Sequence, residues 1–183
     1  MFAGFGSFCA TCAGKRACRP DGLPPPPDPP PPVTITGPDG TAHRLAFNVW
    51  RCHNGVVVDL REVGVQGFSF SSISAIGRHD QPIDAQVQHL IGEARETIGT
   101  VHLDRPRPDA PLMLAGDEVS GELVWAEHHD AYGRYPYNVV VDGKLMTWQE
   151  FGLTLEPFEG FRFRLVVEDS CTVVHEDGTT EQG

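Results

Sequence analysis

The amino-acid sequence specifies an α+β protein. It reads as a mostly antiparallel sheet with one longer amphipathic helix and one short helix, preceded by an irregular cysteine-bearing head and a polyproline spacer. Three observations carry this. Runs rich in β-branched and aromatic residues, punctuated by Gly, Pro, Asn and Asp, flank a single stretch with helical periodicity. Thr147-Trp148-Gln149-Glu150 has the spacing of a helix-opening capping box. Eight prolines broken only by Asp28 (Pro24–Pro27, Pro29–Pro32) separate three of the five cysteines from everything that follows.

The domain plan is therefore a cysteine head at 1–20, a proline spacer at 21–32, an α+β domain at 33–176 and a frayed polar tail at 177–183. Proline lacks an N–H donor and fixes φ, so the spacer cannot be helix or central strand. Nine residues of extended polyproline reach about 28 Å at ~3.1 Å per residue.

In the body, Val33–Thr36 and Ala42–Val49 flank Gly37-Pro38-Asp39-Gly40, a hairpin pattern. Asn54-Gly55 predicts a second hairpin turn leading into Val56–Val63. Phe68–Ile76 alternates as a strand. The period then changes: Ile83, Val87, Leu90, Ile91, Ala94, Ile98 and Val101 recur at helical spacing behind Pro82. Strands resume at Val119–Ala126 and Tyr137–Val141, with a turn at Asp142-Gly143 before Lys144–Met146. Phe161-Arg162-Phe163-Arg164-Leu165-Val166-Val167 alternates cleanly, predicting a strand with one wet face, and Cys171–His175 extends or returns it. Trp125, Trp148, Phe151, Phe158, Phe161 and Phe163 are the expected aromatic core.

The net charge is −11. Head and spacer hold three basic residues (Lys15, Arg16, Arg19) against Asp21 and Asp28, so the body carries −12. Such a field repels phosphate backbones and anionic lipid, which argues against nucleic-acid and membrane partners. No apolar run approaches a membrane span, and the first residues lack the basic flank of an export signal. With an odd cysteine count, the expected setting is a reducing cytoplasm.

The chemistry concentrates in the head, Cys9-Ala-Thr-Cys12 followed by Cys18. A Cys-x2-Cys pair converges two thiolates on one point, the geometry of tetrahedral Zn²⁺. A closed structural site needs a fourth ligand, and the nearest body candidates are Cys52, His53 and His43, with Cys52-His53 at a hairpin tip. The metal set is thus Cys9, Cys12 and Cys18 with Cys52 or His53, and structural zinc is the expected cofactor. An iron–sulfur cluster ranks lower, because the spacing matches no common ferredoxin run. A Cys9/Cys12 dithiol redox centre ranks lower too, because no thioredoxin-like unit surrounds the pair.

Elsewhere the signals are weak. Cys52 and His53 point to opposite faces of extended chain, which excludes a nucleophilic dyad between them. Glu127-His128-His129-Asp130 reads as a solvated loop, Cys171 and His175 lie ~13 Å apart on a strand, and Asp117-Glu118 and Glu168-Asp169 read as solvated pairs. No serine elbow, phosphate loop or dinucleotide fingerprint is present.

Val140-Val141-Asp142-Gly143-Lys144, Trp148, Glu150-Phe151-Gly152, Leu155 and Phe158-Glu159-Gly160-Phe161, with Phe163, Leu165 and Asp169, carry a further signal. Together they resemble the closing segment of an uncharacterised bacterial domain, whose pattern runs IDGRE, SW, EFG, FEGW and F-x-L-x-I-x-D. Val119–Trp125 is similar to the strand that precedes it. The resemblance covers about 33–170 and concentrates in 119–169. Some members carry a Cys-x2-Cys head like a zinc ribbon, so the resemblance implies zinc here as well. This chain departs from the pattern in Ala94-Arg95-Glu96, where the family has an Arg pair, and in its third head cysteine. The resemblance implies a fold and a bacterial origin, not a reaction.

The functional expectation is a non-enzymatic cytoplasmic accessory protein whose head and proline arm meet a protein partner. The alternatives are a subunit of a larger metalloenzyme complex, its head contacting a partner or cofactor, and a thiol redox factor using Cys9 and Cys12.

Overall fold

The structure is a computed structural model that describes residues 24–64, 72–125, 137–168 and 171–182. The expectations for Cys9, Cys12 and Cys18, for the start of the strand at 68–71, for 126–130 and for Asp169 lie outside the described residues. The fold is α+β, with two α-helices and mostly antiparallel sheet among the described residues. The stretch 33–176, read from the sequence as one domain, is divided into two compact units. One holds 24–64, 72–99 and 167–182 of the described chain; the other holds 100–166. The sequence marked no boundary because a helix ends at Gly99 and the next strand starts at Leu103, with no compositional break between them.

The first unit is a six-stranded sheet in the order β1-β2-β3-β4-β10-β11. Its strands are β1 (Val33–Thr36), β2 (Ala42–Cys52), β3 (Gly55–Glu62), β4 (Ile73–Gly77), β10 (Cys171–Val174) and β11 (Thr180–Gln182). All neighbours are antiparallel except β4 and β10, which run parallel. β3 is buried from Gly55 to Leu60, as a central strand covered on both faces must be. The proline spacer from Pro24 onward is neither helix nor strand and runs directly into β1. The tail expected to fray instead closes a hairpin: His175 N donates to Thr179 O at 2.9 Å, and β11 pairs with β10.

Helix α1 (Asp84–Gly99) packs on β1, β3, β4 and β10. Val87, Leu90 and Ala94 form its buried stripe, as the period predicts. Gln86 joins them at 0% exposure, because its Nε2 donates to Val56 O at 2.9 Å and Ala75 O at 3.1 Å. The register places Leu45, Phe47, Val49, Val56, Val58, Leu60, Ile73 and Ala75 on one sheet face with Gln86's acceptors. Cys52, Val57, Ile76 and Cys171 cluster on the opposite face.

The second unit has two small sheets. β5 (Leu103–Asp104) pairs with β6 (Met113–Leu114), and β8 (Tyr137–Val141) lies between β7 (Glu122–Trp125) and β9 (Lys144–Thr147). Asp142 (φ 47°) and Gly143 (φ 70°) make the β8–β9 turn, whose two left-handed residues match the strands' twist. The Asp142 carboxylate accepts from the N–H groups of His102 (2.9 Å) and Leu103 (2.7 Å), tying that turn to β5. α2 (Trp148–Thr154) opens on the expected capping box: Thr147 Oγ1 accepts from Glu150 N at 3.2 Å, and Glu150 Oε2 accepts from Thr147 N at 2.8 Å. Leu103, Leu114, Val139, Val141 and Met146 form the core of this unit, with Phe151 and Phe158 against it.

Two expectations fail here. Phe161–Val167 is not a strand, and Phe161 and Phe163 are not core: they are 72% and 91% exposed. A strand needs a neighbour to satisfy its backbone, and this stretch pairs with none among the described residues. Trp148 is likewise half-exposed, held edge-on against Phe151 at 5.9 Å.

Candidate functional site

The β2–β3 hairpin tip is where the spacer, the sheet and a sequence-predicted ligand meet. Cys52 pairs with Gly55, so the two-residue loop is His53-Asn54, one position earlier than the Asn54-Gly55 turn read from sequence. The shift follows from a close approach: a Cβ on Gly55 would stand 2.1 Å from Gly77 O on β4. Glycine is needed there for the strand contact rather than for the turn.

Arg51 organises the tip. Its Nε donates to Pro25 O at 3.2 Å, and its Nη1 donates to His79 O at 3.0 Å and meets His79 Nδ1 at 3.3 Å. A guanidinium can only donate, so Nδ1 accepts and the ring proton resides on Nε2. Nε2 in turn faces His53 O at 3.3 Å. Both ring nitrogens of His79 are thereby engaged, and the imidazole of His53 is left exposed at the loop. One residue before His79, Arg78 forks onto both carboxylate oxygens of Asp80 at 3.1 Å, which holds that carboxyl below the usual range.

The structure separates the two body ligands predicted from sequence. Cys52 is 4% exposed, on the sheet face whose buried cluster also holds Val57, Ile76 and Cys171, while His53 is exposed. Cys52 and Cys171 are both buried thiols with β3 and β4 between their strands, about 14 Å at ~4.8 Å per strand, too far for a disulfide. His43, the third body histidine considered, bonds Glu62 Oε1 at 3.1 Å through Nδ1 and is mostly buried. Among the described residues no three His, Cys, Asp or Glu side chains stand together as a metal group. Of the three body residues considered, Cys52 and His43 are buried or mostly buried and His53 is exposed.

The other candidates are structural. His175 lies just beyond β10, half-exposed and 3.4 Å from Glu181 Oε1, while Cys171 is buried. An open cleft of about 510 Å³ is lined by Arg78, His175, Glu176, Asp177 and Thr179. Within it Thr179 Oγ1 and N both donate to Asp177 Oδ1, keeping that carboxyl low, while Arg78 and His175 pair with Asp80 and Glu181 outside the lining. Asp117, Glu118 and Glu168 are exposed. Sequence reasoning missed Arg51 and His79; the signal available was an arginine closing the long apolar strand β2.

Two family models match this chain. Residues 27–99 match a Domain of unknown function (DUF7686), and residues 102–171 match a second Domain of unknown function (DUF7713). They span 73 and 70 of the 183 residues. The gap between them falls where the structure passes from one unit to the other, at Gly99/Thr100. The DUF7713 match contains the 119–169 segment on which the sequence resemblance rests. No curated protein and no solved structure matches the chain.

Proposed function

We propose that this protein is a non-catalytic accessory protein of the reducing cytoplasm, in which a structural zinc site is formed by Cys9, Cys12 and Cys18 and completed by His53. The observation that carries the reading is the hydrogen bond from Arg51 to Pro25 O, which returns the proline arm to the tip where His53 stands exposed. Pro25 lies seven positions after Cys18, a reach of up to ~24 Å, so the thiolates can meet that imidazole. Cys52, the other body ligand anticipated, is a poorer fourth donor because its sulfur faces an apolar cluster. A buried thiol on each of β2 and β10 suits a reducing compartment. The acidic body disfavours nucleic acid, which leaves a protein as the partner for the head and arm.

Metal analysis of protein expressed with supplemented zinc tests this. One equivalent of zinc is expected, lost on Cys9→Ser with Cys12→Ser. His53→Ala should weaken affinity ~10-fold or more in a chelator competition, while Cys52→Ala leaves it unchanged. Below a tenth of an equivalent in the unaltered protein, the zinc reading fails. A reversible Cys9–Cys12 disulfide in metal-free protein would favour the redox alternative instead.

A further inference from the structure

The stretch 161–167 has the composition of a strand and no place in a sheet. Phe161, Phe163, Leu165 and Val167 alternate with Arg162, Arg164 and Val166. The four apolar side chains are 72%, 91%, 69% and 70% exposed, and no strand pairs with them among the described residues. Contiguous apolar exposure of this kind marks an interaction surface, and its period of two makes it suited to extending a sheet edge.

The three-stranded sheet offers the matching acceptor. β8 is central, so β7 and β9 each present an open edge among the described residues. Charge selects between them. β9 begins at Lys144, which repels Arg162 and Arg164. β7 begins at Glu122 and follows exposed Asp117 and Glu118. Leu123, and Val119 before it, are only partly covered where they pack on the Leu103–Met146 core cluster. One alternation therefore serves both faces: phenylalanines beside Leu123, arginines beside Glu122.

We infer that residues 161–167 add as a strand to the β7 edge of a second copy of this chain, exchanged reciprocally about a two-fold axis. The size of the surface favours exchange over a single insertion. Two phenylalanines alone present roughly 300 Å². With Leu165, Val167 and the facing β7 surface, one insertion buries on the order of 800 Å², and two bury about 1,600 Å², the size of a stable interface. The two-fold also closes the exchange, whereas head-to-tail addition would leave a free strand at one end and a free edge at the other.

Sedimentation equilibrium of the full chain, with reductant and chelator present so that head thiols cannot bridge copies, should show a dimer at micromolar concentration. Arg162→Glu with Arg164→Glu should raise the dissociation constant at least ~10-fold without changing the circular dichroism, since both side chains are exposed. Adding Glu122→Arg to that pair should restore dimerisation, which a merely destabilised fold would not do. Phe163→Asp should leave the protein monomeric. A monomer throughout the concentration range overturns the inference, as does a dimer indifferent to these charges. Slow amide exchange over 161–167 in a monomer also overturns it, by placing the strand within its own chain.

Discussion

Asp59 sits on β3 at 2% exposure, and its carboxylate accepts from Ser74 Oγ at 3.1 Å and from Arg61 Nε at 3.1 Å and Nη2. Arg61 itself is half in solvent. An inspection of exposure alone would rank Arg61→Ala as harmless. The physical cost lies with its partner, since removing the guanidinium leaves a buried carboxylate with one hydroxyl donor. Arg61→Ala should destabilise by about 3 kcal/mol in urea unfolding. Arg61→Lys should cost less, because it keeps the charge but not the fork. At this scale the sequence reading set Cys52 and His53 on opposite faces of extended chain; the structure buries Cys52 on β2 and leaves His53 exposed in the turn. It missed Gln86, because a polar side chain inside an apolar stripe is explained only by the Val56 and Ala75 carbonyls it reaches.

Helix α2 shows how far a local signal carries. The Thr147/Glu150 box is a contact between neighbours in sequence, so it was readable before any fold was known. Thr147→Ala should cost about 1 kcal/mol. Glu150 is held below its ordinary carboxylate value, first by the Thr147 N–H and then by its hydroxyl. A depressed folded value means that its contribution is complete above the ordinary carboxylate range and disappears as pH falls through the depressed one. The gap in stability between the unaltered protein and Thr147→Ala should therefore be full near neutrality and shrink in acid, as paired urea titrations at several pH values would show. Other elements needed partners that sequence does not name. The alternation at 161–167 makes the stretch competent for a strand but cannot supply the edge. The parallel pairing of β4 with β10 joins residues nearly a hundred positions apart.

Over the whole molecule, charge is the property with the longest reach. At −11, net charge opposes non-specific aggregation at neutral pH, and that opposition fades toward the sequence isoelectric point of about 5.0. Light scattering should stay flat at neutral pH and rise steeply on approach to that value. Arg162→Glu with Arg164→Glu should move the onset to lower pH by adding negative charge. No helix among the described residues is long and apolar enough to cross a membrane. By itself the sequence determined what depends on near neighbours: the hairpins at Gly37–Gly40 and Asp142-Gly143, a helix behind Pro82 and the capping box. Tertiary structure alone decided that the body folds as two units, that β10 inserts beside β4, that Cys52 is buried while Arg51 bonds Pro25 O, and that 161–167 pairs with no strand among the described residues. The reason is physical: periodicity and turn chemistry act within a few residues, whereas burial and pairing are properties of surfaces that meet only after the chain has folded.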